Sequence, residues 1–204
     1  FTPPKSVESE NAGIEETLEA LDKLKIAGKI RAFGVSNETP WGVMRYLNLA
    51  QSKGFGRIES IQNPYNLLNR TYEVGLAEIS VREKSGLLAY SPLAFGFLSG
   101  KYRNNNLPDG SRMKLFGDMF PRYKSINSTK AIEDYYKIAK KNNLSLAQMS
   151  LAFINSRPFV TSNIIGATTM DQLKENIGSM NMKLNEEILE KIDIIHNNNP
   201  NPAP

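Results

Sequence analysis

Lys29-Ile-Arg-Ala-Phe-Gly-Val-Ser-Asn-Glu-Thr-Pro40 compresses a whole strand-to-helix transition into one short stretch. Ile30 to Val35 reads as a buried strand that stops at two small polar residues, Ser36 and Asn37. Thr39 then offers a hydroxyl to the unpaired N–H groups of a helix start. Pro40 takes the first helical position, the one place where a missing N–H costs nothing. The helix runs to Lys53-Gly54, where glycine can close it.

The same unit recurs on either side. Upstream, Ile14, Leu18, Leu21 and Leu24/Lys25 mark one face of a helix that Gly28 ends. Downstream, Ile58 to Gln62 is a strand, Asn69 caps a helix through Leu76 and Ile79 to Lys84, and Leu87 to Tyr90 is a strand again. Strands thus begin near residues 30, 58 and 87, close to the ~30 residues of a strand–helix unit. The rhythm breaks over Ser91 to Asn127, an extended Gly/Asn/Pro-containing stretch. A helix through Ile132 and Ile138 follows, then one opened by the capping box Ser145-x-x-Gln148. Val160 to Ile165 is the last strand, Thr169-x-x-Gln172 opens another helix, and Asn185 opens a final one through Ile188 and Ile192.

Four strand–helix units imply a parallel sheet with right-handed crossovers. An open doubly wound sheet would carry a Gly-x-Gly-x-x-Gly turn after an early strand, and the chain has none. A (β/α)8 barrel averages ~250 residues, so four units with a long insertion make half of one. Rhythm alone favours the barrel only slightly. The strand ends decide it, because function in such barrels gathers at the C-terminal ends of the strands.

Those ends read Ser36-Asn37, Gln62-Asn63, Tyr90-Ser91 and Gly166-Ala167-Thr168. Ser, Asn and Gln can pair with a carboxamide, which needs a donor and an acceptor together. The ring of Tyr90 offers a flat face for a planar heterocycle. Each of these residues alone is better explained as a cap or turn former, by about two to one. All of them on one rim shift the balance toward a site.

Composition removes other classes. The 204 residues suffice for one domain with a sizeable core, and 40% hydrophobic with 23% charged residues is ordinary globular usage. Zero cysteines exclude disulfides and thiolate chemistry, and a single histidine argues against a metal site. No apolar run approaches the ~18–20 residues of a membrane span. The net charge of +4 is mild and its Lys and Arg are spread among acids, so no nucleic-acid partner is expected. Four Asn-x-Ser/Thr sequons are read as chance in a cytoplasmic protein. The start at Phe1 rather than Met suggests a fragment or trimmed form.

Val35-Ser36-Asn37-Glu38-Thr39, Ile61-Gln-Asn-Pro-Tyr-Asn-Leu-Leu-Asn-Arg70, Leu88-Ala-Tyr-Ser-Pro-Leu-Ala-Phe-Gly96 and Gly166-Ala-Thr-Thr-Met-Asp-Gln-Leu173 occur in this order. Over nearly its whole length the chain resembles the second half of an NADP-dependent aldo-keto reductase. The bacterial Tas-type branch is the nearest match, and potassium-channel beta subunits are more distant. The resemblance implies an α/β fold, the second half of a parallel (β/α)8 TIM barrel with about four βα units and a C-terminal helix. Residues 1–204 would form one partial barrel domain, with 1–13 as the loop after an absent fourth strand and 197–204 as a tail.

It also implies NADP(H) as cofactor and a small-molecule carbonyl as substrate. Ser36, Asn37 and Gln62 would hold the nicotinamide carboxamide, and Tyr90 would stack on the ring. Ser91, Pro92, Leu93, Ala94 and Phe95 would wrap the pyrophosphate, with Lys101 adding charge. Arg112, Gly166, Thr168, Gln172, Glu175 and Asn176 would hold the adenosine end. Some family members carry Lys, Arg or Ser around 166–172, where this chain has Gly166, Thr168 and Gln172. The margin of NADP over NAD therefore stays open.

The family's catalytic Asp, Tyr, Lys and His lie in its first half, and no residue here is assigned a catalytic role. Reduction of aldehydes or ketones is expected of the complete enzyme. The alternative is a cofactor-binding but non-catalytic half-barrel or regulatory subunit, with self-association through exposed half-barrel strands. Gly96-Phe-Leu-Ser-Gly-Lys101 is one residue too short for a P-loop and is followed by Tyr102, which sets a nucleotide hydrolase aside. Glu15-Glu16 and Glu186-Glu187 sit in first helical turns, where they suit the helix dipole. Trp41 fits a pocket wall or a packed aromatic equally well. His196, at the end of the last helix, fits a cation complementing that dipole.

Overall fold

A computed structural model describes residues 7–117 and 120–204. Four parallel strands lie in the order of the chain: β1 (Val35–Ser36), β2 (Ser60–Pro64), β3 (Gly86–Tyr90) and β4 (Val160–Asn163). Around them run α1 (Val7–Ile26), α2 (Pro40–Lys53), α3 (Leu76–Glu83), α4 (Arg112–Phe116), α5 (Ile126–Lys141), α6 (Leu146–Asn155), α7 (Met170–Gly178) and α8 (Glu186–Asn198). Neighbouring strands in chain order pair directly, each reached through a helical crossover. The architecture is an α/β parallel sheet consistent with half of a TIM barrel.

The helix starts follow the cap chemistry. The hydroxyls of Thr39, Ser125, Ser145 and Thr169 and the amide oxygen of Asn185 each accept the N–H three residues ahead. A side-chain oxygen bonded this way is worth about 1 kcal/mol per helix. Alternation then sorts the sheet into two faces. Ile61, Leu87 and Ala89 are fully buried against the helices and join Val43, Ile58, Leu67, Leu68 and Phe153 in the core. On the opposite face, Ser36, Gln62, Leu88 and Ser162 form one register row, half-buried or exposed. A compact chain of 22.8 kDa would expose about 9,600 Å². This chain exposes 12,054 Å², as a sheet covered on one side does.

Three readings change. Residues 7–13 are helical rather than loop, since α1 begins at Val7; Gly13 weakens that helix by about 1 kcal/mol without stopping it. Residues 1–6 of that expected loop lie outside the described residues. The strand expected over 30–35 keeps ladder structure only at Val35–Ser36, because β1 has β2 as its single neighbour. Its earlier part runs alongside through Glu59 N–H to Phe33 O (2.9 Å). At Gly34 a Cβ would stand 2.5 Å from the Ser60 carbonyl oxygen, so only glycine permits this approach. Asn69 Oδ1 accepts Thr71 N–H (3.2 Å) beside a single 3-10 turn, Thr71–Glu73, rather than capping the expected helix, and Gly75 at φ 87° interrupts the chain before α3.

The tail is docked. Ala203 N–H donates to Leu68 O (3.1 Å), Ser128 Oγ donates to Pro202 O (2.8 Å), and Asn201 Oδ1 accepts Arg70 N–H (2.6 Å). It covers a buried polar hub. Arg70, 7% exposed, donates to Glu73 (2.8 and 2.9 Å) and to Asp193 (2.7 Å), and Tyr65 donates its hydroxyl to Glu73.

Candidate functional site

The C-terminal ends of β1, β2 and β3 bring four of the expected residues into one bonded group. Ser36 Oγ and Asn37 N–H both donate to Gln62 O, each at 3.0 Å. The Tyr90 hydroxyl reaches across β2 to donate to Asn37 Oδ1 at 2.6 Å. Asn37 holds φ 55°, a left-handed conformation that turns its amide onto the rim. Burial holds the Tyr90 phenol above its ordinary range and outweighs the nearby Arg122 cation, so the ring keeps its proton and donates it in this bond. Ser36 and Asn37 are exposed, while Gln62 and Tyr90 are half-buried. The group therefore presents amide and hydroxyl functions beside an aromatic face at an open rim.

Ser91 to Phe95 leaves β3 in a tight coil. Ser91, Ala94 and Phe95 have φ of 53°, 47° and 59°, followed by Gly96 at 97°. Ala94 N–H donates to Ser91 O (2.9 Å) and Gly96 N–H to Leu93 O (2.8 Å). Pro92 and Ala94 are buried; Ser91, Leu93 and Phe95 are half-buried. A turn of this kind can gather backbone N–H groups into a concavity that suits an anion, with the Ala94 and Gly96 N–H groups already taken by the internal bonds. Lys101 lies against it, with Nζ 3.3 Å from where a Cβ on Gly96 would stand.

From Phe95 the contacts continue to the loop after β4. The Arg112 guanidinium lies 5.5 Å from the Phe95 ring centroid, and its Nη2 is 3.7 Å from a Cβ position on Gly166. Asn176, 4% exposed, donates to Gly166 O (3.2 Å). Gln172 Oε1 accepts both Thr168 N–H (2.9 Å) and Thr168 Oγ1 (3.1 Å), leaving its NH2 to donate outward. Glu175 is half-buried and placed by α7 beside Asn176. Arg112 has no carboxylate partner among the described residues, so its charge stays available to a ligand.

The structure thus runs the expected residues in one path: Tyr90 and Asn37, the Ser91–Gly96 coil, Arg112, Gly166 and α7. Some participants were not foreseen. Asn63, read at the strand end but given no partner, and Asn66, just past β2 inside a motif read only as a whole, tie this rim together. Phe120 stacks on Phe95 at 4.1 Å and is flanked by Arg122, both in the irregular stretch where no periodicity marks partners. Trp41 is 53% exposed at the first turn of α2, which removes the packed-aromatic reading. His196 lies near the Arg70 hub, close enough to feel that cation, its Nδ1 buried and unpartnered.

Among the described residues no helix is long and apolar enough to cross a membrane. Likewise, no group of three or more His, Cys, Asp or Glu could hold a metal. Residues 2–197 match the family model described as Aldo/keto reductase family. The chain is 52% identical over 189 residues to "Protein tas" of Escherichia coli (strain K12), covering 93% of this chain and 54% of that protein. It is 39% identical over 176 residues to an "Aldo-keto reductase" of Babesia bovis, covering 84% of the chain and 62% of the relative. It is 31% identical over 191 residues to an "L-glyceraldehyde 3-phosphate reductase" of Escherichia coli O157:H7, covering 90% and 54%. The chain spans about half the length of the curated relatives it matches.

Proposed function

The chain belongs to the aldo/keto reductase family, and on that premise we propose that it supplies the NADP(H) site of a reductase acting on aldehydes or ketones. Bound there, the dinucleotide would supply the hydride. The carboxamide of the nicotinamide needs a donor and an acceptor, and Ser36, Asn37 and Gln62 offer both. Tyr90 would cover one face of the ring and so decide which face stays open to substrate. Its bond to Asn37 fixes the angle of that ring. Ser91 to Phe95 and Lys101 would take the pyrophosphate, and Arg112, Thr168 and Gln172 the 2′-phosphate and ribose. Glu175 and Asn176 would meet the adenine.

The observation that carries this reading is the Tyr90–Asn37 bond across β2, which makes one platform of a stacking ring and an amide group. The protonation of the developing alkoxide is assigned to groups outside this chain. The sole histidine lies near the Arg70 hub, and Tyr90 is committed to Asn37. That division also supports the second reading, a cofactor-binding half-barrel that is not catalytic by itself. β1 and β4 each have one sheet neighbour, so their free edges offer a route to self-association. A cytoplasmic location goes with this chemistry.

Fluorescence titration of the chain with NADPH, and with NADH beside it, tests the reading. Saturable binding that weakens at least tenfold in Tyr90→Ala is the expected result. A folded chain that binds neither nucleotide would remove the cofactor site from this half.

A further inference from the structure

We propose that Asn63 and Asn66 are positioning residues that set the nicotinamide end of the site, each by holding the loop of a neighbouring strand in a left-handed turn. The inference rests on the dinucleotide reading above and names residues that do not themselves form the platform. Asn63 is 8% exposed; its Nδ2 donates to Glu38 O and its Oδ1 accepts Glu38 N–H, both at 3.2 Å. One amide thus closes on both sides of the residue that follows Asn37, whose φ is 55°. Asn66 is 1% exposed; its Nδ2 donates to Ser91 O at 3.0 Å while its Oδ1 accepts Leu68 N–H at 2.9 Å. Ser91, at φ 53°, is the residue that turns the chain out of β3 directly after Tyr90.

The arrangement is symmetrical about β2. Backbone bonds from Asn37 N–H to Gln62 O (3.0 Å) and from Tyr65 N–H to Tyr90 O (3.3 Å) run alongside the two amides. A left-handed conformation costs a residue with a side chain roughly 1–2 kcal/mol, so each turn needs a bond from outside to hold it. A carboxamide donates from one atom and accepts at another, so a single short side chain bonds two backbone groups at once. An aspartate of the same shape keeps the Leu68 contact at position 66 and loses the donation to Ser91. It also loses the donation to Glu38 at position 63.

The test uses Asn63→Asp, Asn66→Asp, Ser91→Gly and the Asn66→Asp/Ser91→Gly pair, read by NADPH titration and by amide hydrogen exchange at Asn37, Ala94 and Gly96. Each aspartate variant is expected to weaken NADPH about tenfold, the size of one buried bond lost, and to speed exchange at its own loop alone. Glycine adopts positive φ without strain, so the double variant should recover most of the affinity that Asn66→Asp loses. A purely structural role would give losses that add instead. Unchanged affinity and exchange in both aspartate variants would overturn the proposal. Wild-type protein that binds no nucleotide would overturn the dinucleotide reading, while exchange still reports whether the asparagines hold the turns. Where an aspartate variant does not fold, Asn63→Ala and Asn66→Ala, which remove the same donations without adding a charge, are read in the same way.

Discussion

The loop after β2 and the loop after β4 occupy equivalent places on the rim and are built in opposite ways. Tyr65 to Arg70 is buried throughout, and its polar groups are bound to Ser91, Leu68, Thr71, Glu73, Asp193 and the C-terminal tail. Ile164 and Gly166 to Thr168 are exposed, tied to α7 through Asn176 and Gln172. Folding alone sets the first loop, because its bonds are internal and shielded from water. The second has few apolar contacts and presents its groups outward, which is where local opening is cheapest. In a dinucleotide site this makes the nicotinamide end rigid before binding and leaves the adenosine end for the ligand to order.

The hardest blow to that contrast is Arg70→Ala. It leaves Glu73 and the Tyr65 hydroxyl without their cation inside the fold, and it removes the guanidinium 5.1 Å from the Phe153 ring. Breaking one member of a buried ion pair costs about 3–5 kcal/mol; Asp193 is half-exposed and regains water, which points to the lower end. Urea denaturation measures it. A loss under about 1 kcal/mol, the scale of an exposed pair, would mean that the first loop is held by its apolar residues alone.

Arg112→Ala strikes the other loop and should separate binding from stability. The side chain is exposed, so folding stability should move by no more than about 0.5 kcal/mol. NADPH affinity should fall about tenfold, as for one charge-assisted bond, and NADH affinity less. The difference should shrink as salt is raised. Equal losses for both nucleotides would place Arg112 away from the 2′-phosphate.

A smaller effect is expected from Gln172→Ala. It frees Thr168 N–H and Oγ1 at an exposed position, where each bond nets toward the low end of about 0.5–1.5 kcal/mol. NADPH binding should weaken about threefold, without a change in denaturation midpoint. An unchanged titration would show that the loop after β4 closes on the ligand without this brace.

How much of this was legible in the sequence differs along the same line. Thr39, Ser145, Thr169 and Asn185 act through bonds three residues long, so cap chemistry places the starts of α2 and α6 to α8 within a residue or two. Strand extents were less readable: β1 is short because ladder length depends on a neighbour, not on the apolar run Ile30 to Val35. The rim residues were found because strand ends are marked by a change from apolar to polar. The bonds of Asn63 and Asn66 were not, since nothing local tells that an asparagine 25 residues from its partner will bond there. The Arg70 hub has the same cause, with Asp193 123 residues away. So has the tail, where Asn201 carries no periodic signal yet closes on Arg70.

The smallest effect concerns pH. His196 belongs to the rigid side of the contrast: burial, then the Arg70 cation, hold its imidazole below the ordinary histidine range, with Glu73 and Asp193 opposing. Its folded pKa is therefore lower than its unfolded value of about 6.5. Between the two, the unfolded chain binds more protons, so stability falls as pH drops through 6.5 and levels off below the folded pKa. Above that window His196 contributes no pH dependence. Urea midpoints at pH 7.5 and 5.5 should differ more in the wild type than in His196→Gln, which stays neutral throughout. Parallel shifts in the two proteins would show that the imidazole reaches water on protonation. NADPH affinity, governed from the open rim, should give the same comparison of wild type and variant at both pH values. A nucleotide affinity that followed His196 would mean that the hub and the rim move as one unit, which would end the contrast between the two loops.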